Sequence, residues 1–135
     1  MDRDEKIRLI EKHYRTFWSG DPAEIDRELT PDFVDSAAPP GTPPGTDYVK
    51  AAAMGARAGF PDMVVTVEES MVDGPVVAVR ARWRGTNTGP MMGRPPTGKK
   101  VDVTGIIVWK LADDGRIERR DAFLDMAAFA KQLAD

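Results

Sequence analysis

The sequence predicts an α+β fold in which three N-terminal helices precede a mainly antiparallel sheet and a short helix ends the chain. Three observations predict it. Apolar residues recur at three- and four-residue spacing as far as Gly59, and β-branched, partly alternating runs follow. Asp73-Gly74 and Asp114-Gly115 stand between consecutive runs as hairpin signals. The 135 residues, 41% hydrophobic and 30% charged, suit a single domain, here residues 1–135.

Each element has its own signal. Over residues 3–18, Ile7, Ile10, Tyr14, Phe17 and Trp18 form one helical face and Arg8, Glu11, Lys12 and Arg15 the other; Ser19-Gly20 ends the helix. Asp21-Pro22-Ala23-Glu24 offers a cap, a first-turn proline and an acid, which starts a second helix through Leu29 that Thr30-Pro31 stops. Phe33-Val34 is a brief strand. The stretch DSAAPPGTPPG from Asp35 to Gly45 holds four prolines and two glycines, a loop placed to act as a lid. Thr46 caps an alanine-rich third helix that Gly59 and Pro61 terminate. Strands are expected over 63–72, 76–84, 100–111 and 117–124. The crossover GTNTGPMMGRPPTGK, 15 residues, exceeds a plain turn and marks a functional candidate. Asp125 caps the last helix.

Alternation sorts the strands by face. Arg80, Arg82 and Arg84 share the outer face of the second long strand. Residues 101–111 are apolar on both faces, with Ile107 and Trp109 on one and Ile106 and Val108 on the other. A homodimer through the outer face explains this, and cover by the C-terminal helix explains it equally well. In the last strand Ile117, Arg119, Asp121 and Phe123 share a face that Ile117 and Phe123 mark as interior. A carboxylate there must be paired, neutralised or used. Asp121 is thus a general base or acid lining a pocket, or half of a structural pair with Arg119, or on a face that a different register leaves wet.

Composition excludes several functions. Nineteen basic and 22 acidic side chains give a net charge of −3 with no basic patch, so no nucleic-acid partner is expected. With no cysteine and one histidine, thiol chemistry and multi-histidine metal sites are excluded, and no metal or cofactor is expected. His13, which flanks the apolar stripe, reads as a packed or half-exposed histidine. The charged N-terminus lacks a signal-peptide core, and no apolar run approaches the roughly 20 residues of a membrane helix. A cytoplasmic protein with no membrane partner is expected.

The runs FPDMVVTVEE, VAVRARWRGTNTGPMMGRPPTGKKVDVTGI and DGRIERRDAFLD, with a terminal QL, resemble SnoaL-like polyketide cyclases, of the nuclear-transport-factor-2-like cone fold. The resemblance spans essentially the whole chain. It implies helices packed into a strongly curved sheet around an internal cavity, dimerisation, and intramolecular aldol closure of a polyketide ring without cofactor or metal. It assigns Asp121 the proton transfer. Relatives carry His where this chain has Ser36 and Asn87, and a second cavity His near Ile107. Asn87 would then orient a substrate carbonyl, or else tie the loop backbone. Tyr14 and Trp18 would line the cavity with Arg119 and Ile107, while Met91 and Met92 shape its mouth for an apolar small molecule. Asp35, at the edge of the lid, is a weaker candidate. The function expected is a cyclase or isomerase. A metal-free hydroxylase, an epoxide-hydrolase-like enzyme and a non-catalytic binding module are the alternatives.

Overall fold

Helix α1 (Arg3–Ser19) begins where the Asp2 carboxylate accepts the Glu5 N–H at 2.8 Å in the computed structural model, which describes residues 1–134. Its C-terminal carbonyls are met from another helix: Arg57 donates to the Phe17 carbonyl at 2.7 Å and to that of Thr16. The apolar stripe buries Ile10 and Tyr14, and with them His13. A 3₁₀ turn at Pro22–Glu24, capped by Asp21, leads into the single turn α2 (Ile25–Glu28). The expected helix through Leu29 is shorter than its signal, and the brief strand is longer. Strand β1 occupies Leu29–Asp35, because Leu29 and Phe33 are buried and Thr30-Pro31 is accommodated in extended backbone.

The lid loop then crosses to α3 (Asp47–Gly59), with the Gly45 N–H donating to the Phe33 carbonyl at 2.8 Å. Thr46 stands at the expected cap position, but its hydroxyl bonds Asp26 at 2.5 Å rather than the helix. That ties α3 to α2, and Lys50 adds a second bond to the same carboxylate at 3.0 Å.

Strands β2 (Val64–Asp73), β3 (Val76–Thr86), β4 (Lys100–Leu111) and β5 (Ile117–Leu124) follow the expected ranges closely. The mixed, curved sheet has the order β1-β5-β4-β3-β2, with β1 parallel to β5 and all other neighbours antiparallel. Its inner face carries Val77, Val79, Ala81, Trp83, Ile107 and Trp109 against the helices. Arg82 on the outer face makes a bidentate pair with Asp102 at 2.6 Å.

Helix α4 (Met126–Leu133) is capped by Asp125, which accepts the Ala128 N–H at 2.9 Å. It does not cover the outer face. It runs beside β4 beyond the end of β5, where Gln132 replaces a strand. Its side-chain oxygen accepts the Asp102 N–H at 2.7 Å, and its amide donates to the Asp102 carbonyl at 3.0 Å.

Where the crossover passes under α3 the backbones almost touch. A Cβ at Gly89 would lie 1.7 Å from the Ala58 carbonyl oxygen, whereas one at Gly55 meets nothing within 4 Å. Gly89→Ala should therefore destabilise by about 3 kcal/mol or more. Gly55→Ala, in the interior of α3, should stabilise by roughly 0.5–1 kcal/mol. Urea unfolding of the two variants checks both signs.

Candidate functional site

The last strand decides what faces inward. Lys110 pairs with Arg119 but Leu111 pairs with Ile117, so Glu118 is an extra residue, a bulge. Beyond it the face alternates from a new start. Arg120 lies opposite Trp109 and Ala122 opposite Ile107, both on the inner face; Asp121 lies opposite Val108 and Phe123 opposite Ile106, both on the outer. Ile117 is interior as expected, but Arg119, Asp121 and Phe123 are not, and Phe123 is 66% exposed. The interior placement of Asp121 and Arg119 is thus corrected, and the reason is one inserted residue.

On the outer face Arg119 grips Asp121 with two bonds, at 2.9 and 3.0 Å. The guanidinium hydrogen bonds hold the Asp121 carboxyl below its ordinary value, against a smaller effect of burial, and Ser36 assists. This is a neutralised, half-buried surface pair.

The inner face carries a different carboxylate. Asp35 at the end of β1 pairs in register with Arg120, and the guanidinium reaches its two oxygens at 3.3 and 3.1 Å. These side chains are only 13% and 21% exposed. The Arg120 guanidinium also stands 5.7 Å from the centre of the Trp109 ring, within cation–π range. Asp35, Arg120 and Trp109 therefore form a row across three neighbouring strands. Tyr14 of α1 meets Trp109 edge-on at 5.6 Å, and His13 does so at 5.3 Å. Burial pushes the Tyr14 phenol well above its ordinary range, outweighing Arg120 and the Trp109 indole, so the hydroxyl keeps its proton.

Asp35 also lines a cleft of about 130 Å³ with Phe33, Val34, Pro39, Tyr48 and Val49, roofed by the proline-rich loop. A second cleft of about 400 Å³ opens on the other side of that loop, between Asp26, Pro31 and Tyr48. Deeper in, the space between helices and sheet is occupied by the rings of Tyr14, Trp83 and Trp109.

The remaining expected site residues are dispersed. Asn87 is buried, and every polar atom of its amide is used. It donates to the Gly59 and Gly89 carbonyls at 3.0 Å and accepts from Thr97 N–H and hydroxyl at 2.8 and 3.0 Å. It clamps the crossover to the end of α3 and has no group left for a substrate carbonyl. Met91 and Met92 lie at the same end; Met92 is 92% exposed at a φ of 52°. That end and the lid are separated by the length of α3, about 18 Å at 1.5 Å per residue. Trp18 packs edge-on against Phe17 at 5.4 Å. Ile107 is a core residue with no exposure. His13 is packed as expected. Its Nδ1 meets Glu28 at 3.0 Å, and Thr16 donates to the same carboxylate at 2.7 Å. Among the described residues no cluster of three or more His, Cys, Asp or Glu could hold a metal ion, and no helix is long and apolar enough to cross a membrane. Arg120 carries no signal of its own in the sequence; its place follows from the pairing of β5 with Asp35 of β1.

Comparison with known proteins adds a family and a set of folds. The family profile described as SnoaL-like polyketide cyclase matches residues 8–133. Among solved structures, IdmH from Streptomyces antibioticus, a candidate polyketide cyclase, is 31% identical with a TM-score of 0.79, covering 96% of this chain and 98% of its own. A candidate SnoaL-like polyketide cyclase from Jannaschia sp. CCS1 is 27% identical with a TM-score of 0.82 over 98% and 96%. TsrD from Streptomyces laurentii shares the fold, at 24% identity and a TM-score of 0.87 over 99% and 98%. No curated protein matches the chain significantly.

Two outcomes follow from this geometry. A carbon-detected NMR titration should place the Asp121 midpoint below the free value of about 3.9. Because the folded value is depressed, the pair with Arg119 stabilises the fold above that free value and ceases to do so as pH falls through the folded one. Asp121→Asn should flatten this acid limb of the stability profile. Asn87→Ala strands buried loop groups and should cost about 2–3 kcal/mol in urea unfolding.

Proposed function

Since the chain belongs to the SnoaL-like polyketide cyclase family, we propose that it is a cofactor-independent cyclase or isomerase of a polyketide-like small molecule, with Asp35 as its acid–base group. One observation carries the reading. The Asp35–Arg120 pair turns inward, and Asp35 borders the cleft under the proline-rich loop. Asp121, to which the resemblance assigns this work, turns outward.

The chemistry needs few parts. An Asp35 oxygen takes a proton from carbon beside a substrate carbonyl, and the C–H electron pair moves into the carbonyl to give an enolate. The enolate carbon then either attacks a second carbonyl of the same molecule, forming the ring C–C bond, or is reprotonated at another carbon. In the first case the Asp35 proton returns to the new alkoxide. Atoms and charge balance in both routes with no redox partner. Arg120 fixes the carboxylate and supplies positive charge beside the developing oxyanion. The apolar walls of Phe33, Val34, Pro39, Tyr48 and Val49 suit a ring system, and holding it bent supplies rate through orientation.

The proposed working unit is a homodimer joined through the outer sheet face. Val34, Met71, Ile106 and Phe123 are exposed there, an apolar set larger than scattered surface residues require. Phe123→Lys should convert a dimeric species into a monomer in light scattering after size exclusion. A wild-type chain that is already monomeric at high micromolar concentration removes the dimer.

The acid–base assignment is checked with 2-tetralone, a bicyclic ketone, by following hydrogen–deuterium exchange at its α-carbons by NMR. The wild-type protein should accelerate exchange over buffer. Asp35→Asn should lose about 10²–10⁴-fold, while Asp121→Asn keeps the wild-type rate. Wild-type exchange no faster than buffer, or loss in Asp121→Asn alone, overturns the assignment.

A further inference from the structure

The carboxylate assigned to the chemistry also fastens the loop that roofs its cleft. Asp35 Oδ1 accepts the Ala37 N–H at 2.9 Å and the Arg120 guanidinium at 3.3 Å, whereas Oδ2 accepts from Arg120 alone, at 3.1 Å. The Ala38 N–H closes the same turn on the Asp35 carbonyl at 3.1 Å. The far end of the loop is pinned close by on β1, through the Gly45 N–H on the Phe33 carbonyl at 2.8 Å. Little is bonded between the pins. Pro39, Pro40, Pro43 and Pro44 have no N–H to donate, and Thr42 gives its N–H and hydroxyl to the Pro39 carbonyl, at 3.1 and 2.7 Å. A stiff, proline-rich span is thus joined to the strand at its two ends, and one of those joints is ionisable.

From this arrangement we propose that the loop is a latch worked by the protonation of Asp35: the carboxylate keeps the cleft covered, and the protonated acid lets the loop lift. The inference rests on the proton-transfer reading and supplies the regulation of that site. Hydrogen bonds to an ionised acceptor are roughly twice as strong as neutral ones. Oδ2, with one bond, is the oxygen free to take a substrate proton. Once it does so, Arg120 loses its counter-charge and Ala37 is left with a neutral acceptor. The lift has a use. The covered cleft of about 130 Å³ is smaller than the roughly 300–1,000 Å³ of ordinary ligand pockets. The cleft of about 400 Å³ lies across the loop, and Pro43, Pro44, Gly45 and Tyr48 are walls of both. Lifting the loop joins the two, so the step that forms the enolate also makes room for it to turn toward its second carbonyl or its reprotonation.

The groups around Asp35 make its titration separable. Arg120 faces it from β5, residues 36–45 carry no ionisable side chain, and α3 and α1 bring the phenols of Tyr48 and Tyr14, uncharged in acid. Two other carboxylates touch the ends of the loop: Asp121 bonds Ser36 and Asp26 bonds Thr46, while Asp47, beside Lys50, lines the far cleft. Arg119 holds Asp121, and Thr46 holds Asp26, below the ordinary carboxylate value.

The test is amide–solvent exchange of the whole chain by NMR, with carboxyl-carbon detection of each aspartate. In the wild-type protein, exchange at Ala37 and Ala38, corrected for its intrinsic pH dependence, should quicken about tenfold as pH falls, with the midpoint of the Asp35 carboxyl. Asp35→Asn, neutral and of the same shape, should already show the faster exchange at neutral pH and lose the pH step. The Gly115 N–H, held on the Ala112 carbonyl in the turn between β4 and β5, should not change in that variant. If Asp35→Asn does not fold, the wild-type titration decides alone. Exchange indifferent to Asp35, or following Asp26 or Asp121 instead, overturns the latch and leaves Asp35-dependent exchange of 2-tetralone standing. Exchange that follows Asp35 in a chain inert toward 2-tetralone keeps the latch and removes the acid–base reading.

Discussion

The burial of one indole organises the interior. Trp109 sits at the centre of the inner sheet face with no meaningful exposure, and two elements are placed by contact with it. Helix α1 rests on it through the edges of His13 and Tyr14, and β5 lays Arg120 against its ring. Perpendicular ring contacts have defined geometry, so they set the height and rotation of α1 over the sheet more sharply than aliphatic packing does. The buried Glu28 network depends on that seating, since His13 can reach Glu28 only while α1 holds its rotation. A single large side chain thus links a structural ion network on one side to the proposed chemistry on the other.

The second constraint is smaller and was harder to foresee. A strand has a side-chain period of two, so one extra residue exchanges its faces from that point onward. Glu118 is such a residue, and it moves Asp121 outward and Arg120 inward. Both Asp121 and Asp35 end in contact with an arginine, the first through two guanidinium nitrogens and the second through one, yet one pair is a surface clasp and the other turns inward. Residue types are the same in the two cases. Facing and depth separate them.

Features written in local sequence were legible. Helical spacing of α1 and α3, the Asp-Gly hairpins, the Asp21 and Asp125 caps and the exclusion of the arginine ladder from the core all depend on residues a few positions apart. The loop between β1 and α3 was legible from its prolines. What was not legible lives in pairings between distant parts of the chain. Asp35 and Arg120 are 85 residues apart, and nothing near either announces the other. The destination of Thr46 was misjudged because its hydroxyl had a better acceptor, the Asp26 carboxylate, 20 residues away. Of the two readings of Asn87 the structure shows the loop tie, because all four of its bonds go to loop and helix-end groups.

The Gln132 contact has a consequence for how the sheet is terminated. Beyond the end of β5, the flank of β4 would present an open backbone edge, the kind that recruits strands from other chains. A single side-chain amide occupies the two backbone groups of Asp102 there and imitates a neighbouring strand. The helix that carries it has no buried residue and is held by Gln132, by the Phe129 ring against Phe60 and by Lys99, so these few contacts decide how readily it lifts. Each transient lifting of that helix turns a sealed seam into a template. The same event exposes one short stretch of β4 to polymerisation while the rest of the sheet stays shut.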